Sequence, residues 1–541
     1  MITKIDGVSF RNMVDYAVRN LNKHCNIVNQ LNVFPVPDGD TGTNMVTTIY
    51  RGLLAVEESL IDLPSISRKF SRSVVFEARG NSGVIMSQFL KGMAEEFHDV
   101  EQVDGERFIA GLERGVKCAY SAVANPVEGT MLTVLRDATE AVKAEYDGTQ
   151  SVDRIVDCFV VHARISLENT PELLPVLKES GVVDSGGAGV VYLFEGMKKF
   201  FDGEDIESSD PAVQSASVDY DQFGPESRFD YGYCTELLIQ LLHGRESFDA
   251  DDFRRSLEQI GDSLVISVQG DKVRVHVHTM YPEQAFALCH RYGEFLHLKV
   301  ENMSVQHTDR ERRILCAKEK SSSAFSVVAV AGDYAMQKLF LEMGADVAIC
   351  GIDGTSTKDY IDAFEKVDTD HIFVFPNSND AILSAVQAKS MYKGARITVI
   401  NSRSLAECYA ALPAIDFAEQ DVDRVEDEIT KIITNIYVVS VAKRKTSVTH
   451  GEHSIHRNEF YSFSGKELIA IGKDLEDTVV QTIDKVLRRM DKEIITIFYK
   501  RSLPYELIER IVDDVQALGC CAEIFAVATD TLASEMSISF E

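Results

Sequence analysis

Phe10, Met13, Val14, Ala17, Val18 and Leu21 recur at intervals of three and four, which places them on one stripe of a helix. The same period returns over residues 74–97 and 152–166, with short glycine-rich joints between the periodic stretches. Strand-type alternation is not found here, so the pattern predicts an all-α domain over residues 1–203. Residues 204–228 are rich in Asp, Ser, Glu and Pro, have no period, and read as a linker.

Beyond the linker the period changes. Residues 229–318 read as a strand (233–242), a helix (251–260), a hairpin (263–268 and 272–278, around Gly270-Asp271), a helix (282–291) and a strand (294–301). The order β-α-β-β-α-β predicts a ferredoxin-like α+β middle domain. From residue 322 to 541, apolar runs at 327–331, 347–350, 372–375 and 397–400 alternate with helical segments. Such runs predict strands of a parallel sheet buried on both faces. Later strands are expected at 436–441, 468–471, 494–499 and 523–527. The expected fold class is therefore multidomain: all-α, then α+β, then α/β.

A length of 541 residues is too much for one core. With 45% hydrophobic and 26% charged residues, long disorder is not indicated. The net charge of −30 argues against nonspecific nucleic-acid binding and against an anionic membrane as docking surface. A basic or neutral partner suits it better. No run reaches the ~18 apolar residues of a membrane span, and the first residues, Met-Ile-Thr-Lys-Ile-Asp-Gly, lack the apolar core of a signal peptide. Ten cysteines lie without a regular frame, only Cys520 and Cys521 being neighbours, and no Cys-x-x-Cys occurs. That usage predicts a reducing, cytoplasmic setting.

Against this background one stretch carries chemistry: Asn32-Val-Phe-Pro-Val-Pro-Asp-Gly-Asp-Thr-Gly-Thr-Asn-Met45. Pro35 and Pro37 end a helix, and Gly39 and Gly42 permit tight folding of the backbone. Asp38 and Asp40 sit two apart with no basic residue between them, a repulsion that a cation would offset. An EF-hand would need Gly and Glu where Thr43 and Ile49 stand, so a calcium loop is excluded. An Mg²⁺ cradle and an ordinary Asp-Gly turn both remain compatible with these residues alone. Three further joints, Ala78-Arg-Gly-Asn-Ser-Gly83, Glu128-Gly-Thr-Met-Leu-Thr133 and Val183-Asp-Ser-Gly-Gly-Ala-Gly189, open helices with exposed N–H groups suited to phosphate. None is a Walker loop or a dinucleotide fingerprint, and glycine for close helix packing explains each one equally well.

Taken together and in order, the Asn32–Met45 loop and the three joints resemble the nucleotide-contacting turns of the dihydroxyacetone kinase L-subunit family. The longer form beginning at Leu31 resembles that family's branch in the fatty acid kinase A subunit. The resemblance implies a helical domain that uses ATP to phosphorylate the carboxylate of a fatty acid held by a separate DegV-type carrier protein. It implies two Mg²⁺ ions at Asp38 and Asp40, with Asn32 as a further ligand. It also implies nucleotide contacts at Thr41, Gly42, Thr43, Asn44, Asn81, Ser82, Gly83, Gly129, Thr130, Asp184 and Gly186, and a role for Arg79 beside the transferred phosphoryl group. The family commonly has three aspartates where this chain offers two, and Ser185 and Ala188 depart from its last turn. The final 220 residues resemble DegV-type carriers in strand pattern, but Cys350-Gly-Ile-Asp-Gly-Thr-Ser-Thr357 replaces the expected Gly-Gly-Gln-Thr-type loop.

In the middle segment, Val273-Arg-Val-His-Val-His278 alternates, and the ferredoxin-like order makes its strand a neighbour of the one carrying Cys234. Cys234, His276 and His278 then form an expected catalytic set, either a zinc site with an open fourth position or a metal-free patch that contacts the carrier or the phosphoryl group, against the alternative of a plain polar strand face. The middle segment's Tyr-Cys-Thr-Glu and His-Val-His pieces also resemble those of the fatty acid kinase branch. Two other functions stay open at this stage: a kinase for dihydroxyacetone or a similar small ketone, and a regulatory adaptor that binds nucleotide without turnover. A homodimer is compatible with either.

Overall fold

The computed structural model describes residues 4–32, 39–57, 59–123, 126–204, 233–242, 248–269, 271–302, 313–317, 323–351, 354–444, 448–450, 453–465, 467–518, 522–532 and 534–541. Met1–Val213 and Ile314–Glu541 belong to one compact unit and Gln214–Arg313 to a second. The expected linker, 204–228, falls almost wholly outside the described residues.

The first part of the larger unit is helical: α1 (Gly7–Lys23), α2 (Cys25–Leu31), α3 (Thr41–Leu54), α4 (Leu63–Phe76), α5 (Gly80–Glu96), α6 (Gly105–Ser121), α7 (Met131–Glu145), α8 (Val152–Leu173), α9 (Pro175–Ser180) and α10 (Ser185–Asp202). All six residues of the predicted α1 stripe are buried. They join one core with Met45 and Ile49 of α3, Phe70 of α4, Phe89 of α5, Phe108 of α6, Phe159 of α8 and Phe194 of α10. Peripheral helices start on an aspartate that accepts an N–H three residues on: Asp6 from Ser9 (2.8 Å), Asp62 from Ser65 (2.8 Å) and Asp104 from Arg107 (3.1 Å). The period read over 74–97 spans two helices, because α4 ends at Phe76 and α5 restarts at Gly80.

The second unit has four strands, β1 (Tyr233–Leu241), β2 (Asp262–Gln269), β3 (Lys272–Thr279) and β4 (Gly293–Asn302), with α11 (Ala250–Glu258) and α12 (Pro282–His290). Its sheet order is β2-β3-β1-β4, and every pairing is antiparallel. Leu237, Ile239, Val273, Val275 and Val277 of the sheet pack on Phe253, Leu257, Ala285 and Leu288 of the helices.

The rest of the larger unit holds two main sheets. β5 (Ile314–Cys316), β6 (Ser326–Ala331), β7 (Val347–Cys350), β8 (His371–Phe375) and β9 (Arg396–Val399) stand in the order β5-β7-β6-β8-β9. β6 to β9 are parallel, and β6 and β8 are buried at every residue, as their unbroken apolar runs predict. β5 joins antiparallel at the edge. Besides a small ribbon, β11 (Val448–His450) and β12 (His453–Ile455), a separate sheet runs β14-β13-β10-β17-β15-β16. Its strands are β10 (Tyr437–Lys443), β13 (Phe460–Ser464), β14 (Glu467–Gly472), β15 (Ile494–Lys500), β16 (Glu523–Thr529) and β17 (Met536–Phe540). Among the described residues, only β15 and β16 pair in parallel there. The late strands therefore form a mixed sheet, not a continuation of the parallel one.

This α/β part rests on the helical part. The helix Asn379–Met391 packs on α5, and Gln387 donates to the Val75 carbonyl (2.9 Å) while accepting from Gln88 (2.7 Å). Arg79 and Ser356 form an isolated β-bridge, and the Thr357 N–H donates to the Ala78 carbonyl at 3.2 Å.

Candidate nucleotide site

The site is built from helix starts. α3, α5, α7 and α10 begin at Thr41, Gly80, Met131 and Ser185, each directly after one of the four glycine-bearing turns. The preceding side chains of Asp40, Arg79 and Thr130 do not cap their own helices, unlike the peripheral aspartates. Polar contacts tie the starts together. The Ser185 hydroxyl donates to the Thr41 hydroxyl and the Ser82 hydroxyl to the Thr41 carbonyl, both at 3.3 Å. Asp184 accepts the Gly187 N–H at 2.7 Å and also draws on the Met131 N–H, joining α10 to α7. The positive ends of several helix dipoles thus meet in one neighbourhood, which favours an anion.

Asp40 lies at the edge of this neighbourhood. Its carboxylate accepts from the Asn44 amide at 2.9 Å and is pushed up to about 6, first by burial and then by the charge of Asp380. Asn44 is held in turn by the backbone across from it. Gly80 has φ +59°, and a Cβ there would stand 2.4 Å from the Asn44 amide nitrogen. Only glycine permits that approach. Gly83 does the same against the Thr48 hydroxyl, at 2.4 Å, and Thr48 accepts the Arg79 N–H at 3.1 Å. An acidic oxygen donor kept half-buried by an amide fits Mg²⁺, a hard cation that takes carboxylate oxygens. Asp38 lies outside the described residues.

The structure brings Asp40, Thr41, Gly42, Thr43, Asn44, Arg79, Asn81, Ser82 and Gly83 together, with Asp184 and Gly186 reached through Ser185. Not all present a free side chain to a ligand. The Thr43 hydroxyl accepts from Asn29 (3.0 Å) and lies 3.6 Å from the Cys25 sulfur. The Thr130 hydroxyl donates to the Val127 carbonyl at 2.8 Å, and Gly129, at φ +82°, donates its N–H to Thr133 at 2.9 Å. Arg79 is only 3% exposed, and its guanidinium donates to the Gly354 carbonyl at 3.3 Å. Asn32 ends α2 in extended backbone. It is Asn29, one turn earlier, that reaches α3, accepting the Gly42 N–H at 2.7 Å and the Thr43 N–H at 3.3 Å.

Sequence reasoning missed Asn29 and, more consequentially, Asp380. The Asp380 carboxylate accepts the Asn81 N–H at 3.2 Å, about 300 residues away along the chain. Burial raises it above the usual carboxylate range. No spacing rule could have found it, because the contact depends on how the α/β part rests on α5. In the second unit, β1 and β3 are neighbours, with Cys234 opposite His278 and Glu236 opposite His276 in the register.

Residues 35–199 match the DAK2 domain, 230–310 the FakA-like (fatty acid kinase) middle domain, and 326–526 the FakA-like C-terminal domain. An uncharacterized protein of Staphylococcus saprophyticus is 33% identical over 515 residues, covering 92% of each chain. The chain belongs to the FakA-like family of fatty acid kinase proteins. An uncharacterized protein of Staphylococcus aureus strain USA300 is 31% identical over 534 residues, 95% of each chain. Among solved structures, the dihydroxyacetone kinase of C. freundii is similar over 37% of this family member and 35% of that chain, at 18% identity and a TM-score of 0.29. The Streptococcus pneumoniae Fatty Acid Kinase (Fak) B3 protein loaded with linoleic acid is similar over 40% of this chain and 99% of its own, at 16% identity and a TM-score of 0.30. Among the described residues, no helix is long and apolar enough to cross a membrane.

Proposed function

We propose that this chain is the ATP-using component of a two-part fatty acid kinase, transferring the γ-phosphoryl group to the carboxylate of a fatty acid presented by a separate DegV-type carrier. The observation that carries the reading is the linkage of four helix starts through Thr41 and Asp184, next in sequence to Asp40, in a chain whose three segments each match a family of kinase type. The starts of α3, α5, α7 and α10 turn the positive ends of their dipoles to the phosphate chain, as helix N-termini do elsewhere. Gly80 and Gly83 let the start of α5 lie against Asn44 and Thr48 of α3. Asn44 fixes the Asp40 carboxylate in the orientation a ligand needs. Asp40, with Asp38, would hold Mg²⁺, which would supply neutralisation of charge on the phosphate oxygens.

A fatty acid's carboxyl group has a reference pKa of roughly 4 to 5, so it is ionised at neutral pH and needs no general base. Positioning and charge neutralisation are then sufficient for transfer. The carboxylate oxygen attacks the γ-phosphorus, the bond to the β-phosphate oxygen breaks, and acyl phosphate and ADP leave.

For the second unit we propose the ferredoxin-like split motif, supported by its order β2-β3-β1-β4, and a zinc ion at Cys234, His276 and His278, supported by the register of β1 and β3. The test of the main reading is acyl-phosphate formation, trapped with hydroxylamine, from purified protein, ATP–Mg²⁺ and lipid-loaded carrier. ADP release with dihydroxyacetone and a ketone-binding partner, and none with the loaded carrier, would replace it with the small-ketone reading that the DAK2 match also supports.

A further inference from the structure

α7 and α8 form a hairpin joined by residues 146–151, and they pack along one another. At the closed end of this hairpin three side chains converge. Glu145 is the last residue of α7, and Cys158 and His162 stand four apart on α8, hence on one face of it. The Nε2 of His162 lies 2.8 Å from one Glu145 oxygen, and the Cys158 thiol donates to the other at 3.3 Å. All three ligand atoms lie within 4.8 Å of one another. A tetrahedral zinc ion, with ligands about 2.0–2.3 Å away, sets them roughly 3.3–3.8 Å apart, so small side-chain movements close the set on one ion. The turn before α8 is ordered too: Asp147 accepts the Thr149 N–H at 2.9 Å, and the Gln150 amide donates to the Glu145 carbonyl at 3.0 Å. Beside Glu145 and Cys158 opens a cleft of about 350 Å³, edged also by Gln150 and Arg154, with room for a water.

An ion pair between Glu145 and His162 accounts for two of these groups. It does not account for the thiol. Free cysteine usually behaves as a small buried hydrophobe, whereas Cys158 is half-buried and aims its S–H at a carboxylate. Thiolate, imidazole and carboxylate together make a donor set for zinc, while Mg²⁺ keeps to oxygen.

We infer that Glu145, Cys158 and His162 form a zinc site at the closed end of the α7–α8 hairpin, with its fourth position open to the cleft. On binding, the S–H bond breaks, the sulfur takes the metal, and the proton leaves to solvent. Burial pushes the free thiol up to about 11, so only a metal with strong affinity for thiolate displaces that proton. Glu145 is exposed, so the ion exchanges and is loaded by added zinc rather than carried through purification. The start of α7, at the nucleotide turn, is roughly 21 Å away along the helix. The ion therefore clasps the hairpin and takes no part in phosphoryl transfer, and the site stands apart from the Cys234 set and from the kinase reading.

The probe is Co²⁺, which takes zinc ligands and reports a thiolate by its charge-transfer absorption. It is titrated into the full chain carrying Cys234→Ala, so that the second unit's set contributes no thiolate. This protein should take up about one Co²⁺ with thiolate absorption, as soft ligands select such a metal. Adding Cys158→Ser should abolish the absorption. Adding His162→Ala, or Glu145→Gln as the milder change, should weaken binding more than about tenfold, since even a partner that only orients a ligand is worth about 10–100-fold. Zn²⁺ should displace the Co²⁺ and raise Tm, with no rise in the Cys158→Ser form, and excess Mg²⁺ should do neither. AMP-PNP binding in the same samples should be equal with and without zinc. Absence of thiolate absorption, equal absorption after Cys158→Ser, or unchanged affinity in a cooperatively melting His162→Ala or Glu145→Gln form overturns the inference. Nucleotide binding that depends on the added zinc overturns the site's separateness.

Discussion

At Gly80 the backbone takes a conformation that L-residues resist, and the missing Cβ leaves room for the Asn44 amide. Gly80→Ala should therefore cost about 1–3 kcal/mol of stability from backbone strain, and it should weaken nucleotide binding by displacing Asn44 from Asp40. Thermal melts and calorimetry with AMP-PNP check both effects. Asp40→Ala removes the proposed Mg²⁺ ligand and no core, so phosphoryl transfer should fall by about 100-fold or more, the several kcal/mol a metal ion supplies, while the melt stays cooperative. Near-normal turnover would remove the Mg²⁺ assignment. Asp184 gives a pH test. Burial pushes its carboxyl up to about 6 from 3.8, so the folded state holds that proton more tightly than the unfolded chain does. The contribution is fully present below pH ~3.8 and is lost as pH rises through about 6. Asp184→Asn should flatten this slope, so its Tm relative to the parent rises between pH 4.5 and 7.5. A constant difference across that range would show that Asp184 is not a buried acid. Of these residues, Asp40 and Asp184 were visible in the sequence because turn chemistry announced them. Asn29 and Asp380 were not, since each acts on a helix start that is not its own.

The elements were legible in proportion to their period. The α1 stripe, the six elements of the second unit and the apolar runs of β6 to β9 all lie within a residue or two of where the pattern puts them. What escaped were the small ribbon β11–β12 and the strands β5, β13 and β17, the last three short strands whose membership depends on a neighbour supplied from elsewhere in the chain. β17 shows this best: Met536–Phe540 is buried throughout between β10 and β15, yet Met-Ser-Ile-Ser-Phe alternates as a half-exposed strand would. At the same scale, β1 and β3 carry a prediction. Their register sets Cys234 opposite His278, so protein purified without chelator should contain about one zinc per chain, as thiolate and imidazole ligands select it. Cys234→Ala and His276→Ala should each lose the metal and keep nucleotide binding. Elemental analysis that finds no zinc would retire the ion, and full activity in both variants would leave a plain polar strand face.

At the scale of the whole molecule, the question is how much of the chain the nucleotide site needs. The helical core is drawn from residues between Ile5 and Met197, and among the described residues beyond α10 only Met391 packs against it. The four helix starts are likewise tied to one another by Thr41, Ser82, Asp184 and Ser185, with no link in that circuit borrowed from the α/β part. By contrast, what the α/β part contributes where it rests on the helical part is polar: Gln387, the backbone near Ser356, and Asp380. Water can replace such partners at small net cost, because a typical hydrogen bond is worth only about 0.5–1.5 kcal/mol after exchange with solvent. A fragment of residues 1–204 should therefore fold cooperatively and bind Mg²⁺·AMP-PNP within about tenfold of the full chain, or about 1.4 kcal/mol. Circular dichroism and calorimetry on the fragment decide it. A fragment that melts without cooperativity, or that binds no nucleotide while the full chain does, would mean that the α/β part completes the site and does not merely cover it.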